Sequence, residues 1–215
     1  VINKRLKNKK YKQKIIKIDT SNIPALFKKI NNKYFLSFGN RENLIFVLKI
    51  CQILKLKKEK ILKIVNKFKG LKYRQQIVFN NNNLTIINDS KSTSLASSEN
   101  LLKNLKSVYW ILCGIPKKGD KFNLTKYQCK NFKSYIFGNY YKQFRKNFKN
   151  KLITKKFNNL KHTLNQIFLE IKNNKRKKHT ILFSPAGASF DNFKNFEERG
   201  FYFNQTIKKY LNAKR

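Results

Sequence analysis

The chain has 215 residues, 40% of them hydrophobic and 14% aromatic, which suits one large domain or two small ones and is too apolar for a disordered polycation. Lys and Arg number 50 against 10 Asp and Glu, a formal charge of +40. Lys, Asn, Ile, Phe and Tyr are over-used, while Gly falls to 7, Pro to 3 and Met to 0. The favoured residues have A/T-rich codons, so the charge reads first as mutational drift at exposed positions and only second as a nucleic-acid footprint.

The basic residues run along the whole chain without a tail or stripe, and RGG and RRM signatures are absent. Weak binding to polyanions is expected, but no specific nucleic-acid partner. Cys51, Cys113 and Cys129 show no metal or redox spacing and read as reduced thiols of a cytoplasmic protein. His162 and His179 lie far apart, so no metal site is expected. The most apolar tract, "NLIFVLKICQILKL", is broken by Lys49 before membrane-spanning length. Val1 in place of an initiator Met implies a piece of something longer, and a monomer is expected.

In chain order, residues 1–38 read as strand edges joined by solvated loops, with "KIIKID" and "YFLSFG" as the extended pieces. From Asn40, Leu44, Phe46, Val47, Leu48, Ile50, Cys51, Ile53 and Leu54 recur at helical spacing. A second helix, "KEKILKIVNKFKG", stops at Gly70. "RQQIVF" and "LTIIND" flank the turn-rich "NNNN" as a hairpin. Alternation follows: helix 95–106, strand "SVYWILCG", strand "SYIFG", helix 140–149, strand "KLIT", helix 158–172, strand "HTILFSP" and helix 193–211. Such alternation predicts an α/β fold, a mostly parallel sheet covered on both faces, with ligands at the carboxyl ends of its strands.

The scarce residues gather at those strand ends. Gly114, Gly119, Gly187, Pro116 and Pro185 lie in the loops after "VYWIL" and "HTILF", and Asp89, Asp120 and Asp191 sit beside them. In "NDSKST", Asp89 can accept from a ribose or orient a lysine, and Lys91 offers a point charge to phosphate or carboxylate. Ser92, Thr93 and Ser94 either seat an anion at a helix start or simply cap the helix, and residue chemistry leaves these even. The lysines of "CGIPKKGD" are ordinary solvated lysines unless context says otherwise. "SPAGASFDNFKNFEERG" supplies small residues for close ligand approach and a wall of Phe190, Phe193 and Phe196, of which Phe193 reads as core at helical spacing.

These stretches together resemble the C-terminal part of the Mur ligase family, in the members that add D-glutamate. "GLKYR" (70–74), "NDSKSTS" (88–94), "CGIPK" (113–117) and "SPAGASFDNFKNFEERG" (184–200) stand in the family's order, and the last is long and distinctive. "GNRENL" (39–44) is similar to the helix start that closes the family's central ATPase domain. Gly39 replaces a His there, Cys113 the first Gly of a pair, and Ser94 an Asn. The family's phosphate loop, carbamylated lysine and magnesium ligands would lie upstream of Val1.

The resemblance implies a Rossmann-like C-terminal ligase domain over 71–215, preceded over 1–70 by the tail of the ATPase domain. It also implies ATP and Mg²⁺, with UDP-N-acetylmuramoyl-L-alanine and D-glutamate as substrates. Matching positions make Asn43, Arg74 and Asp89 ATP contacts, set Lys91 near the phosphates or D-glutamate, and give D-glutamate Thr93, Lys117, Ser189 and Phe196, with no metal ligand in this chain. The alternatives are another Mur-type or folylpolyglutamate-type ligase and, in a different class, a basic nucleic-acid-binding protein.

Overall fold

A computed structural model describes residues 16, 18, 19, 25–36, 38–174 and 178–212. Most of the extended segment expected before Ala25 lies outside them. The chain forms two compact units, Val1–Gly70 and Leu71–Arg215.

Among the described residues the first unit contains two α-helices, α1 (Phe38–Ile53) and α2 (Lys58–Lys67). "YFLSFG" is not a strand. Lys33–Leu36 form a 3₁₀ turn that leads into α1, because its backbone groups are satisfied locally. The Asn32 carboxamide accepts from Tyr34 N, and Asn40 donates to Tyr34 O. The α1 helix ends at Ile53, just before Leu54, the last residue expected at helical spacing, with Lys55 at φ 54° and Leu56 N donating back to Cys51 O. Asn32 also donates to Val65 O and Phe68 O, which ends α2 before Gly70. Leu44, Leu48, Ile61 and Val65 form the small core, whereas Phe46, Val47, Ile50 and Ile53 leave an apolar face of α1 in solvent.

The second unit is the expected α/β layer structure. Strands β1 (Gln76–Asn80), β2 (Leu84–Asn88), β3 (Val108–Leu112), β5 (Phe132–Phe137), β6 (Thr154–Phe157) and β7 (His179–Phe183) form one sheet. Its order is β1-β2-β7-β3-β5-β6. Only β1 runs antiparallel, paired with β2 through the Asn turn, where Asn81 Oδ1 accepts from Asn83 N and Leu84 N. The helices are α3 (Leu95–Leu102), α4 (Tyr141–Phe148), α5 (Leu160–Asn173) and α6 (Phe196–Asn212). Right-handed crossovers place helices on one face when the chain moves one way across the sheet, and on the other face when it returns.

The burial pattern follows that rule. Tyr109, Ile111, Tyr135 and Phe183 pack with Leu164 and Ile167 of α5 and Phe203 of α6. Val108, Trp110, Leu112 and Ile136 point the opposite way, toward Leu95 of α3 and Phe144 and Phe148 of α4. Two short strands, β4 (Ile115–Pro116) and β8 (Gly187–Ala188), pair antiparallel beside the main sheet.

Glu170 of α5 is the acceptor of a polar cluster on one sheet face. Lys155 and Lys133 donate to it at 2.7 and 3.0 Å, and Gln166 and Tyr135 complete the set. Burial alone would raise this carboxyl, but the four donors outweigh it and hold it down at about 2. A folded-state value below the unfolded one contributes stability that is complete above about pH 4.5 and lost as pH falls toward 2. Glu170→Gln is therefore expected to lose part of the rise in melting temperature between pH 2 and 4.5. An unaltered pH profile would contradict this role.

Candidate functional site

The loops after β2, β3 and β7 meet at the carboxyl edge of the sheet, and a chain of buried polar groups joins them. Asp89, directly after β2, is buried. Its carboxylate accepts from Gln75 N at 3.0 Å and from Ser184 Oγ at 3.1 Å, and its backbone N donates to Phe183 O at 2.7 Å. Burial pushes the carboxyl up to about 6, against the pull of Gln75 N, Ser184 and the Arg74 charge. Ser184 Oγ continues to Ser98 Oγ (2.7 Å) and on to Ser92 Oγ (2.9 Å), while Trp110 Nε1 donates to Ser184 O at 2.7 Å.

The β3 loop closes on the same edge. Asp120 accepts from Leu95 N at 2.5 Å, and Ser94 accepts from Ser97 N, so both cap α3. For Ser94, the capping alternative is what the structure displays. Lys117 to Asp120 form a turn closed by Asp120 N to Lys117 O at 3.1 Å. Lys117 is exposed and lines a cleft of about 490 Å³ with Ile115, Pro116, Tyr140 and Lys146. Gly114, at φ 87°, lies so close to β8 that an added Cβ would stand 2.2 Å from Ala188 O.

Arg199 of α6 ties the loops together and is 0% exposed. Its guanidinium donates to Ser90 Oγ at 3.1 Å, Ser90 O at 2.8 Å and Gly187 O at 2.9 Å. Ser90 Oγ passes a bond to Phe196 O. The buried Cys113 thiol is pushed up to about 12 by its burial, with the neighbouring Arg199 charge pulling the other way.

Of the residues singled out in the sequence, Lys91 and Phe196 meet directly, the Lys91 ammonium sitting 3.9 Å above the Phe196 ring. Arg74 is exposed and its charge acts on Asp89. Ser189 is buried, and its carbonyl accepts from Asn192 N and Phe193 N. Thr93 is exposed on the β2 loop. Among the described residues, neither Thr93 nor Lys117 forms a side-chain hydrogen bond to the others. Asn43 is exposed on α1, in the other unit.

Phe193 is half-buried against Tyr202 rather than part of the core, and Phe190 is 72% exposed. Residues 193–195 form the turn before α6, where Asn195 accepts from Glu198 N and Glu198 from Lys194 N. Arg199 and Ser90 were not singled out in the sequence, and Ser184 was expected there only as a small residue allowing close ligand approach, whereas it links Asp89 to Ser98. Arg199 carried a signal, because arginine is scarce in a chain whose basic positions are nearly all lysine.

Among the described residues no helix is long and apolar enough to cross a membrane, and no group of three His, Cys, Asp or Glu could hold a metal ion. The loops and sheet define an α/β domain with a mostly parallel sheet and a set of polar loops at its carboxyl edge. No protein-family profile matches the chain. UDP-N-acetylmuramoylalanine–D-glutamate ligase of Wolbachia sp. subsp. Brugia malayi is 34% identical over 185 residues, which is 86% of this chain and 36% of that enzyme. The enzyme of that name from Rickettsia prowazekii is 32% identical, with 83% and 40% covered. The crystal structure of UDP-N-acetylmuramate–alanine ligase MurC from Thermotoga maritima shares the fold, with a TM-score of 0.56 at 17% identity over 82% of this chain and 39% of that one. The chain belongs to the Mur ligase family. Within it, the chain is similar to the D-glutamate ligases and spans about two-fifths of their length, which fits their C-terminal part.

Proposed function

We propose that this chain is the distal part of an ATP-dependent, ADP-forming ligase that joins D-glutamate to UDP-N-acetylmuramoyl-L-alanine in cytoplasmic peptidoglycan synthesis. The observation that carries this reading is the convergence of the family-like stretches 70–74, 88–94, 113–117 and 184–200 on one sheet edge, held by Asp89–Ser184 and by Arg199. In this reading residues 71–215 form the amino-acid-binding domain. Residues 1–70 form the tail of the ATPase domain, and the exposed apolar face of α1 supports that assignment.

A carboxylate is a poor acyl donor. Its oxygen attacks the terminal phosphorus of ATP and ADP leaves. The amine of D-glutamate then attacks the acyl carbon, phosphate departs and the nitrogen loses a proton. Mg²⁺, when bound, would supply charge stabilisation from ligands in the rest of the ligase. Arg74 and Asn43 are assigned to the nucleotide, and Asp89, through Gln75 N and Ser184 Oγ, positions the loop that carries Lys91 and the residue next to Arg74. The Lys91 ammonium is steered over Phe196, where it faces phosphate or the incoming amino acid.

D-Glutamate carries two carboxylates and an amine, which call for cations, hydroxyls and exposed amides. Lys117, Thr93, Ser189 and the backbone at Phe196 provide them. The chain by itself is expected not to turn over, since nothing in it has the Gly-rich spacing that cradles ATP phosphates.

The test is an assay of ADP release in the complete reading frame that encodes this chain, with D-glutamate or L-glutamate as acceptor. ADP release that does not depend on D-glutamate overturns the reading. Lys117→Ala removes one charge-assisted contact, worth roughly 1.5–3 kcal/mol, and is expected to raise the D-glutamate KM about 10- to 100-fold with the ATP KM little changed. Unchanged KM and kcat for D-glutamate would remove Lys117 from the site.

A further inference from the structure

A second cleft lies at the carboxyl ends of β5 and β6, against α4, and shares Gln143, Lys146 and Lys149 with the neighbouring cleft that Lys117 lines. Its volume is about 1000 Å³, and it is lined by Lys142, Arg145, Lys146, Lys149 and Lys156. No acidic side chain lines it, and this density of cations exceeds the background of a chain in which 50 of 215 residues are Lys or Arg. The geometry of α4 produces the concentration. Phe144 and Phe148 are buried against the sheet, so Lys142, Arg145 and Lys149, spaced three and four apart, share the opposite face. Lys156 comes from β6, across the cleft.

The remaining lining has the character of a base-binding surface. Tyr141 and Phe157 contribute half-buried rings, and Asn139, Asn150 and Asn158 contribute exposed amides. Lys156 Nζ stands 6.0 Å from the Tyr141 ring centre. Parallel sheets bind ligands at the carboxyl ends of their strands, and this cleft occupies such an end.

We propose that this cleft binds a nucleoside polyphosphate, its phosphates among the five cations and its base against Tyr141. None of the residues assigned to the ligase reaction lines this cleft, and Lys142, Arg145 and Lys156 line it without lining the cleft of Lys117. Lys149 offers a way to separate binding from folding. It ends α4 in the left-handed region at φ 48°, which costs a lysine more than a glycine.

The experiment is calorimetric titration of the full chain with ADP, inorganic pyrophosphate and an oligo-dT strand at about 0.15 M salt, where general charge attraction is screened beyond about 8 Å. Arg145→Gln with Lys156→Gln is expected to weaken ADP binding about 10- to 100-fold, as two charge-assisted contacts require. The same charge removed on α6, by Lys208→Gln with Lys209→Gln, should change it by about twofold or less. Tyr141→Leu should erase the preference for ADP over pyrophosphate. Lys149→Gly should weaken ADP while the melting temperature holds or rises. Equal weakening by the cleft pair and the α6 pair, or an unaltered ADP affinity in the cleft pair, overturns the proposal. Oligo-dT binding more tightly than ADP through the same side chains would assign the cleft to nucleic acid instead.

Discussion

Arg199→Met is expected to destabilise the second unit by about 3 kcal/mol and to loosen all three strand-end loops together. The guanidinium makes three bonds, to Ser90 Oγ, Ser90 O and Gly187 O. Hydrogen bonds to a charged group contribute roughly 1.5–3 kcal/mol each, so a simple sum would exceed the expected loss. Methionine also relieves the cost of burying a cation that no carboxylate neutralises directly, and this offsets part of it. Two carbonyls, of Ser90 and Gly187, are left without their donor in a dry interior. Arg199→Lys keeps the charge but has no planar fork to reach residues 90 and 187 at once, so it should recover only part of the loss. Urea denaturation of the three proteins measures this directly. A midpoint for Arg199→Met equal to that of the parent would show that the loops are held by packing alone.

Gly114→Ala is expected to cost roughly 2–4 kcal/mol, and Gly119→Ala only about 1 kcal/mol. Both glycines have positive φ, 87° and 75°, so both alanines incur the left-handed penalty. Around Gly119 there is nothing within 4 Å of an added Cβ, and the penalty ends there. At Gly114 the Cβ would also meet Ala188 O at 2.2 Å and Arg199 Nη1 at 2.8 Å. The carbonyl belongs to β8, so relief requires parting the β4–β8 pair in which Ile115 faces Ala188. Side by side, the two variants separate backbone strain from collision. Equal melting temperatures would mean that β8 moves away without cost.

Much of the second unit was legible from local pattern. "VYWIL" and "HTILF" read as buried strands because a strand covered on both faces is apolar throughout, and all five residues of each are buried. The hairpin around Asn80 to Asn83 was legible because four amide residues in a row can hardly do other than turn. The first unit was harder. "YFLSFG" has strand-like composition, but Asn32 and Asn40 satisfy the backbone locally and bend it into a turn. Strand "KLIT" was placed a few residues too early, since Lys149 and Asn150 both adopt left-handed conformations and delay β6 until Thr154.

Of the candidate site, the sequence by itself pointed to the loops that the structure brings to one sheet edge. Where drift toward lysine and asparagine erases most information, a surviving Gly, Pro or acid marks a position that backbone geometry or charge cannot give up. It could not determine what those survivors do. Asp89 was read as accepting from a ribose or orienting a lysine, and the partners its carboxylate has within the protein, Gln75 N and Ser184 Oγ, lie 14 and 95 residues away. Asp120 caps α3, and Arg199 joins two loops from a helix more than 100 residues beyond Ser90. Only the tertiary structure decided these roles, because a buried polar group takes whatever partner the fold brings within about 3 Å. That distance depends on how the strands order in the sheet, which no local spacing of residues records.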